Sequence, residues 1–190
     1  MPESFFLDVK ECVKILKAGG LILYPTDTIW GIGCDATNKK AVEKIYQLKK
    51  RSDKKTMIIL VAHEKEISLY ADQPEKELLD HLQHSAKPIT VIYKNAKRLA
   101  KNLISEDNTI AIRICKEIFC SDLIKDFGKP IVSTSANIAG QKPPMNFSRI
   151  RDEIKKGVDY IVQYRRGDTD PAKPSTLIRW EHGKPVIIRP

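Results

Sequence analysis

The sequence predicts an α/β fold: a twisted, mixed (parallel and antiparallel) open sheet with flanking helices. Three observations predict it. Apolar segments of helical period alternate with short strand-like runs over most of the 190 residues. The final quarter turns strand-rich and ends in a hairpin pattern. Glycine or proline punctuates most boundaries between segments. The length suits one domain spanning 1–190, since domains run to roughly 100–200 residues.

The elements follow in order. Asp8 is placed to cap a helix whose apolar face is Val9, Cys12, Val13 and Leu16, and Gly19-Gly20 stops it. Leu21–Tyr24 reads as a buried strand broken by Pro25. After Asn38, the positions Ala41, Val42, Ile45, Tyr46 and Leu48 repeat at helical spacing and end in Lys49-Lys50-Arg51. Met57–Val61 is a strand, Pro74 opens a helix to about His84, and Ile89–Tyr93 and Thr109–Ile114 are strands. Glu117–Phe127 is helical and stops at Gly128. Ile131-Val132 runs into Ser133-Thr134-Ser135, and residues 137–146 form a loop around Gly140, Pro143 and Pro144. Arg149–Lys156 reads as helix, Tyr160–Tyr164 as strand and Arg165–Pro174 as a polar loop. Thr176–Trp180 and Pro185–Arg189 flank Glu181–Lys184 as a hairpin.

Composition narrows the function classes. Lys and Arg total 33 against 24 Asp and Glu, a formal net charge of +9, which favours anionic partners. Met1–Phe6 has no basic n-region followed by an apolar run, so a signal peptide is not expected. No apolar run approaches the roughly 18 residues of a membrane span. The cytoplasm is therefore the expected compartment, with no membrane partner. The four cysteines, Cys12, Cys34, Cys115 and Cys120, form no C-x-x-C pair and read as small core residues. His81 and His84 share a helix face, but no H-E-x-x-H or cysteine pair joins them, so no metal site is expected.

Three segments concentrate chemistry. Tyr24–Gly33 packs hydroxyls, a carboxylate and two glycines into one turn, which suits either a ligand loop or a solvated strand–turn. Lys49–Lys55 suits either a phosphate clamp or a set of cations complementing the preceding helix dipole. Pro130–Gly140 empties a strand into three consecutive hydroxyl residues, then Asn137 and Gly140, which favours anion binding. Lys173–Thr176 and Arg189 are weaker signals. No P-loop, G-x-G-x-x-G, nucleophile elbow or kinase signature is present.

Taken together these segments resemble the YrdC/TsaC family of threonylcarbamoyl-AMP synthases. The resemblance rests on Tyr24–Gly33, Lys49 with Arg51, Pro88 with Thr90, and Thr109 with Arg113. It continues through Ser133–Gly140, Ser175-Thr176 and Arg189, collinear over about the whole chain. It implies a YrdC-like fold with a concave basic cavity. It further implies an L-threonylcarbamoyladenylate synthase, a nucleotidyltransferase making threonylcarbamoyl-adenylate and pyrophosphate from L-threonine, bicarbonate and ATP. ATP would be a substrate, with Mg²⁺ on its phosphates. The product would pass to a downstream threonylcarbamoyl transferase complex modifying adenosine 37 of tRNA.

By the same resemblance, Lys49 and Arg51 are the expected catalytic residues. Thr28, Arg113, Ser133 and Ser175 are expected to hold threonine, with Arg113 on its carboxylate. Lys55, Thr109, Ser135, Asn137, Pro143 and Arg189 are expected on the nucleotide side. The chain departs from the family pattern at Ser52, at Lys55-Thr56-Met57, at Leu60 and at Cys115. Two rival readings are a non-catalytic protein of the same fold that binds double-stranded RNA or tRNA, and the carbamoyl-adenylate enzyme of hydrogenase maturation. The latter is much longer and carries cysteine-pair zinc motifs.

Overall fold

The structure, a computed structural model, describes residues 3–51 and 57–190. Its elements are α1 (Glu3–Lys17), β1 (Ile22–Tyr24), β2 (Gly31–Gly33), α2 (Lys39–Leu48), β3 (Ile58–Val61), α3 (Ile67–Tyr70), α4 (Lys76–His84) and β4 (Ile89–Lys94). They continue with β5 (Thr109–Ile114), α5 (Ile118–Phe127), β6 (Ile131–Ser135), α6 (Asp152–Lys156), β7 (Tyr160–Ile161), β8 (Thr176–Glu181) and β9 (Lys184–Arg189). The strands form one sheet of order β7-β1-β2-β6-β3-β5-β4-β8-β9. β1 with β7, β3 with β5 and β4 with β8 run parallel, and the remaining neighbours run antiparallel. This is the mixed open sheet expected from the sequence.

Local chemistry sets the boundaries. The Asn38 side chain accepts from the backbone N–H of Lys40 and Ala41, at 3.0 and 3.2 Å, and so starts α2. A Glu117 oxygen accepts from Cys120 N–H at 2.8 Å and starts α5. Gly128 ends that helix at φ +74°, a left-handed cap suited to glycine, and returns its N–H to Ile124. The α1 face Phe5, Val9, Cys12 and Leu16 is buried. It packs on α5 through edge-on contact of Phe5 with Phe119, ring centres 5.5 Å apart. All four cysteines are buried and free, as their reading as core residues requires.

Several features differ from expectation, among them the unexpected short helix α3. Helix α1 begins at Glu3, so Asp8 lies inside it instead of capping it. Asp8 is 1% exposed and accepts from the Tyr160 hydroxyl and from the N–H groups of Gln163 and Tyr164, at 2.7–3.0 Å. Val162 N–H still donates to the Leu23 carbonyl at 3.0 Å, but the Gln163 and Tyr164 N–H groups turn to the helix carboxylate, so the strand expected to reach Tyr164 ends short of it. Strand β2 was hidden because three residues, two of them glycine, show no alternation. The segment expected as one helix from Arg149 divides into a tight turn, Phe147–Arg149, and α6.

Candidate active site

Register places the hydroxyl segment beside the buried arginine. Side chains alternate along a strand, so Ser133 and Ser135 of β6 project from one face. Ser133 lies opposite Ile58, Ser135 opposite Gly31, and Leu60 beside Arg113 of β5. Arg113 therefore shares its face with Ser133 across β3. Ile58, Arg113, Ser133 and Ser135 line a cavity of about 190 Å³ together with Thr28, Gly31, Arg51, Pro143, Ser175 and Arg189. Three arginines line it and, among the described residues, no carboxylate does.

Each wall is held in place. The Thr26 hydroxyl donates to the Ile29 carbonyl at 2.8 Å and accepts from Thr28 N–H at 3.0 Å. Its one proton is thereby committed, so across their 2.9 Å contact the Thr28 hydroxyl is the donor. The Thr28 oxygen then remains an acceptor at the cavity. Ser175 pairs with the buried Thr90 hydroxyl at 2.7 Å, and its carbonyl accepts from Arg189 Nη2 at 3.1 Å. The Pro88–Thr90 and Ser175–Arg189 segments of the sequence thus meet in one corner.

Arg113 is 3% exposed, and its Nη2 lies 3.0 Å from Asp27 Oδ1. Its Nε–H has no partner among the described residues. A desolvated guanidinium that keeps an unused donor beside a cavity is built to receive an acceptor, because an unmatched buried donor costs about 1–3 kcal/mol. Gly31 is explained by the same packing. A Cβ at that position would lie 3.0 Å from Ser133 Oγ and 3.4 Å from the Thr134 carbonyl. Gly31→Ala is expected to displace Ser133 by a few tenths of an ångström. That should lower kcat/KM of the reaction proposed below about tenfold with a stability change under about 1 kcal/mol, read by paired kinetics and urea melts.

Not every expected site residue reaches this cavity. Lys49 is 2% exposed, and its ammonium donates to the carbonyls of Ser135 and Asn137, at 2.5 and 2.6 Å. It ties down the turn after β6 and is not among the residues lining the cavity. Asn137 Nδ2 donates to the carbonyls of Ile138 and Gln141, at 2.9 and 2.7 Å, and holds the same turn. Thr109 starts β5, and its hydroxyl donates to Asp107 at 2.8 Å. It faces a different cavity, with Asp72 and Trp180, and sits roughly 13 Å from Arg113 at ordinary strand rise. Lys55, with the departures at Ser52 and Thr56, lies outside the described residues. Leu60 is fully buried and does not line the cavity. Asp27 was missed as a partner of Arg113, although a carboxylate inside the Tyr24–Gly33 turn was its signal.

Burial lowers the Lys49 pKa from 10.5 to about 8, helped by the nearby Arg51 charge. Folding therefore disfavours the protonated lysine. The unfolded chain binds more protons between those two values, so the Lys49 contribution to stability rises as pH climbs from about 8 towards 10.5 and is lost on the way back down. Urea denaturation across that range should show this upward slope in the wild type. Lys49→Met should flatten it.

The family model for Sua5, YciO and YrdC proteins, described as telomere recombination, matches residues 14–190. The chain belongs to this family. A protein named threonylcarbamoyl-AMP synthase, from Pseudoalteromonas translucida (strain TAC 125), is 30% identical over 179 residues, covering 93% of this chain and 95% of that one. Among solved structures, E. coli YciO superposes with a TM-score of 0.83 at 26% identity, covering all of this chain and 90% of that one. P. abyssi Sua5 complexed with L-threonine superposes with a TM-score of 0.82 at 22% identity. This chain spans 53% of that Sua5 chain, and the likeness speaks to the fold.

Proposed function

We propose that the protein is an L-threonylcarbamoyl-AMP synthase. It joins L-threonine, bicarbonate and ATP into threonylcarbamoyl-adenylate and pyrophosphate, and the product serves tRNA modification. The observation that carries this reading is a small cavity lined by three arginines and several hydroxyls, with no carboxylate among the described lining residues. The names of the relatives point the same way. The threonine amine and bicarbonate would condense to a carbamate with loss of one water, and a carbamate oxygen then attacks the α-phosphate in line while pyrophosphate leaves. Two anions must meet in that step, and fixed guanidinium groups lower its barrier by holding both in place.

Size supports a division of the ligands between the two ends of the site. About 190 Å³ suits an amino acid, whereas sites for larger molecules run to roughly 300–1,000 Å³. Threonine would lie inside, its carboxylate on Arg113 and its amine or hydroxyl on the Thr28 oxygen, Ser133 and Ser175. Leu60 offers no polar atom, so these hydroxyls carry the selection. The nucleotide would extend outward past Ser135 and Pro143, with Arg51 and Arg189 on its phosphates. Mg²⁺ would arrive on those phosphates as part of the substrate. Lys49 would act by shaping the Ser135–Asn137 turn.

Calorimetric titration with L-threonine tests the assignment. Ser175→Ala should weaken threonine binding about tenfold and leave ATP binding unchanged. Equal threonine affinity in the variant and the wild type would remove Ser175 from the amino-acid site.

A further inference from the structure

A second cavity, of about 470 Å³, lies against β4 and β5 on the face opposite Arg113. Arg113 and Thr90 project towards the first cavity. Alternation sends Ile112 of β5 and Ile89 and Tyr93 of β4 the opposite way, into the wall of the second. Leu82 of α4 closes the side facing them. The volume falls within the range of small-molecule sites, and the wall is mostly apolar. Tyr93 is 6% exposed and its hydroxyl has no partner among the described residues.

Charge is distributed unevenly around this cavity. Its cations, Lys87 and Lys116, are exposed, and Lys116 already donates to carbonyls at the end of α4. Exposed charges are screened by water. Two carboxylates in the wall are nearly buried: the Asp27 side chain is 11% exposed and that of Glu117 10%. Burial strengthens their field relative to the rim. Glu117 is engaged by Cys120 N–H at 2.8 Å and by Arg165 at 3.9 Å. Asp27 Oδ1 is enclosed, 3.0 Å from Arg113 and without hydrogen-bond alignment, so the carboxylate meets the cavity on its other oxygen.

We propose that this cavity is a ligand site for a small organic cation with an apolar body, coupled to the amino-acid cavity through Asp27. The apolar body would lie against Ile89, Ile112 and Leu82, with its ammonium at Asp27. Asp27 is the shared wall, since it lines one cavity while its partner Arg113 lines the other. A cation drawing on Asp27 leaves the Arg113 charge less neutralised, so a carboxylate in the first cavity is held more tightly. By linkage that carboxylate raises the affinity of the cation by the same factor. The coupling rests on the proposed amino-acid site, whereas binding of the cation does not.

Calorimetry of the full chain with phenethylamine, 2-phenylethanol and 3-phenylpropionate tests the site. The amine should bind about tenfold or more tighter than the neutral alcohol, as one charge-assisted hydrogen bond provides. The acid should bind no better than the alcohol. Asp27→Asn should reduce the amine to the level of the alcohol. Ala86→Trp, at the exposed mouth, should abolish amine binding and leave threonine titration and adenylate formation unchanged. Equal affinity for amine and alcohol, or amine binding untouched by Ala86→Trp, overturns the site. Saturating threonine should tighten the amine several-fold, and an unchanged amine affinity overturns the coupling. Amine binding in a protein that takes no threonine would uphold the site and overturn the coupling, so a failure of the synthase reading is told apart from a failure of this one.

Discussion

Arg113→Ala is expected to lower kcat/KM for adenylate formation at least about a thousandfold and to destabilise the fold. The loss of activity follows from its position as a desolvated cation with an unused N–H at the cavity proposed for the amino acid, where one preorganised donor is worth roughly a hundred- to a thousandfold. The loss of stability follows from Asp27, which the substitution leaves nearly buried without its counter-ion. Breaking one side of such a pair costs about 3 kcal/mol or more. Arg113→Lys keeps the charge and loses the planar fork, so activity should still fall about a hundredfold. Adding Asp27→Asn to Arg113→Ala should restore part of the stability and none of the activity. Full activity in Arg113→Ala would exclude the guanidinium from the reaction. Urea melts and pyrophosphate-release kinetics read both effects.

The second large effect concerns a residue far from the chemistry. Asp8→Ala is expected to cost about 3–4 kcal/mol. It strips acceptors from the Tyr160 hydroxyl and from the Gln163 and Tyr164 N–H groups, at a side chain only 1% exposed. Asp8→Asn keeps one acceptor oxygen and should cost about half as much. The downturn in urea midpoint should come with little change in kcat for the protein that remains folded. A midpoint within error of the wild type would show that these donors find other partners.

Much of the architecture was legible because burial writes itself as periodicity. The α1 face, the Asn38 start of α2 and the Gly128 stop of α5 each follow from one local rule. So do the hydroxyl run that ends β6 and the closing hairpin. What escaped the sequence was decided by distant partners. Asp8 has the chemistry of a helix cap, and only the return of the chain at Gln163 turns it into a tertiary anchor. Lys49 has the chemistry of a phosphate clamp, and only the approach of the β6 turn draws its ammonium onto two carbonyls. The Asp27–Arg113 pair spans 86 positions, and no local pattern announces it. Ser133, Ser175, Arg113 and Arg189 were legible as a set through family resemblance, and the sheet register brings them to one cavity. Thr109 belongs to the same motif as Arg113, but strand rise carries it to the far end of β5.

The most direct measurement mixes the purified protein with ATP, Mg²⁺, bicarbonate and isotope-labelled L-threonine and follows products by mass spectrometry. The synthase reading predicts a threonine-labelled carbamoyl-adenylate and an equivalent of pyrophosphate, both absent when bicarbonate is removed. ATP and threonine that bind but yield no adenylate, or pyrophosphate release that ignores bicarbonate, would contradict it.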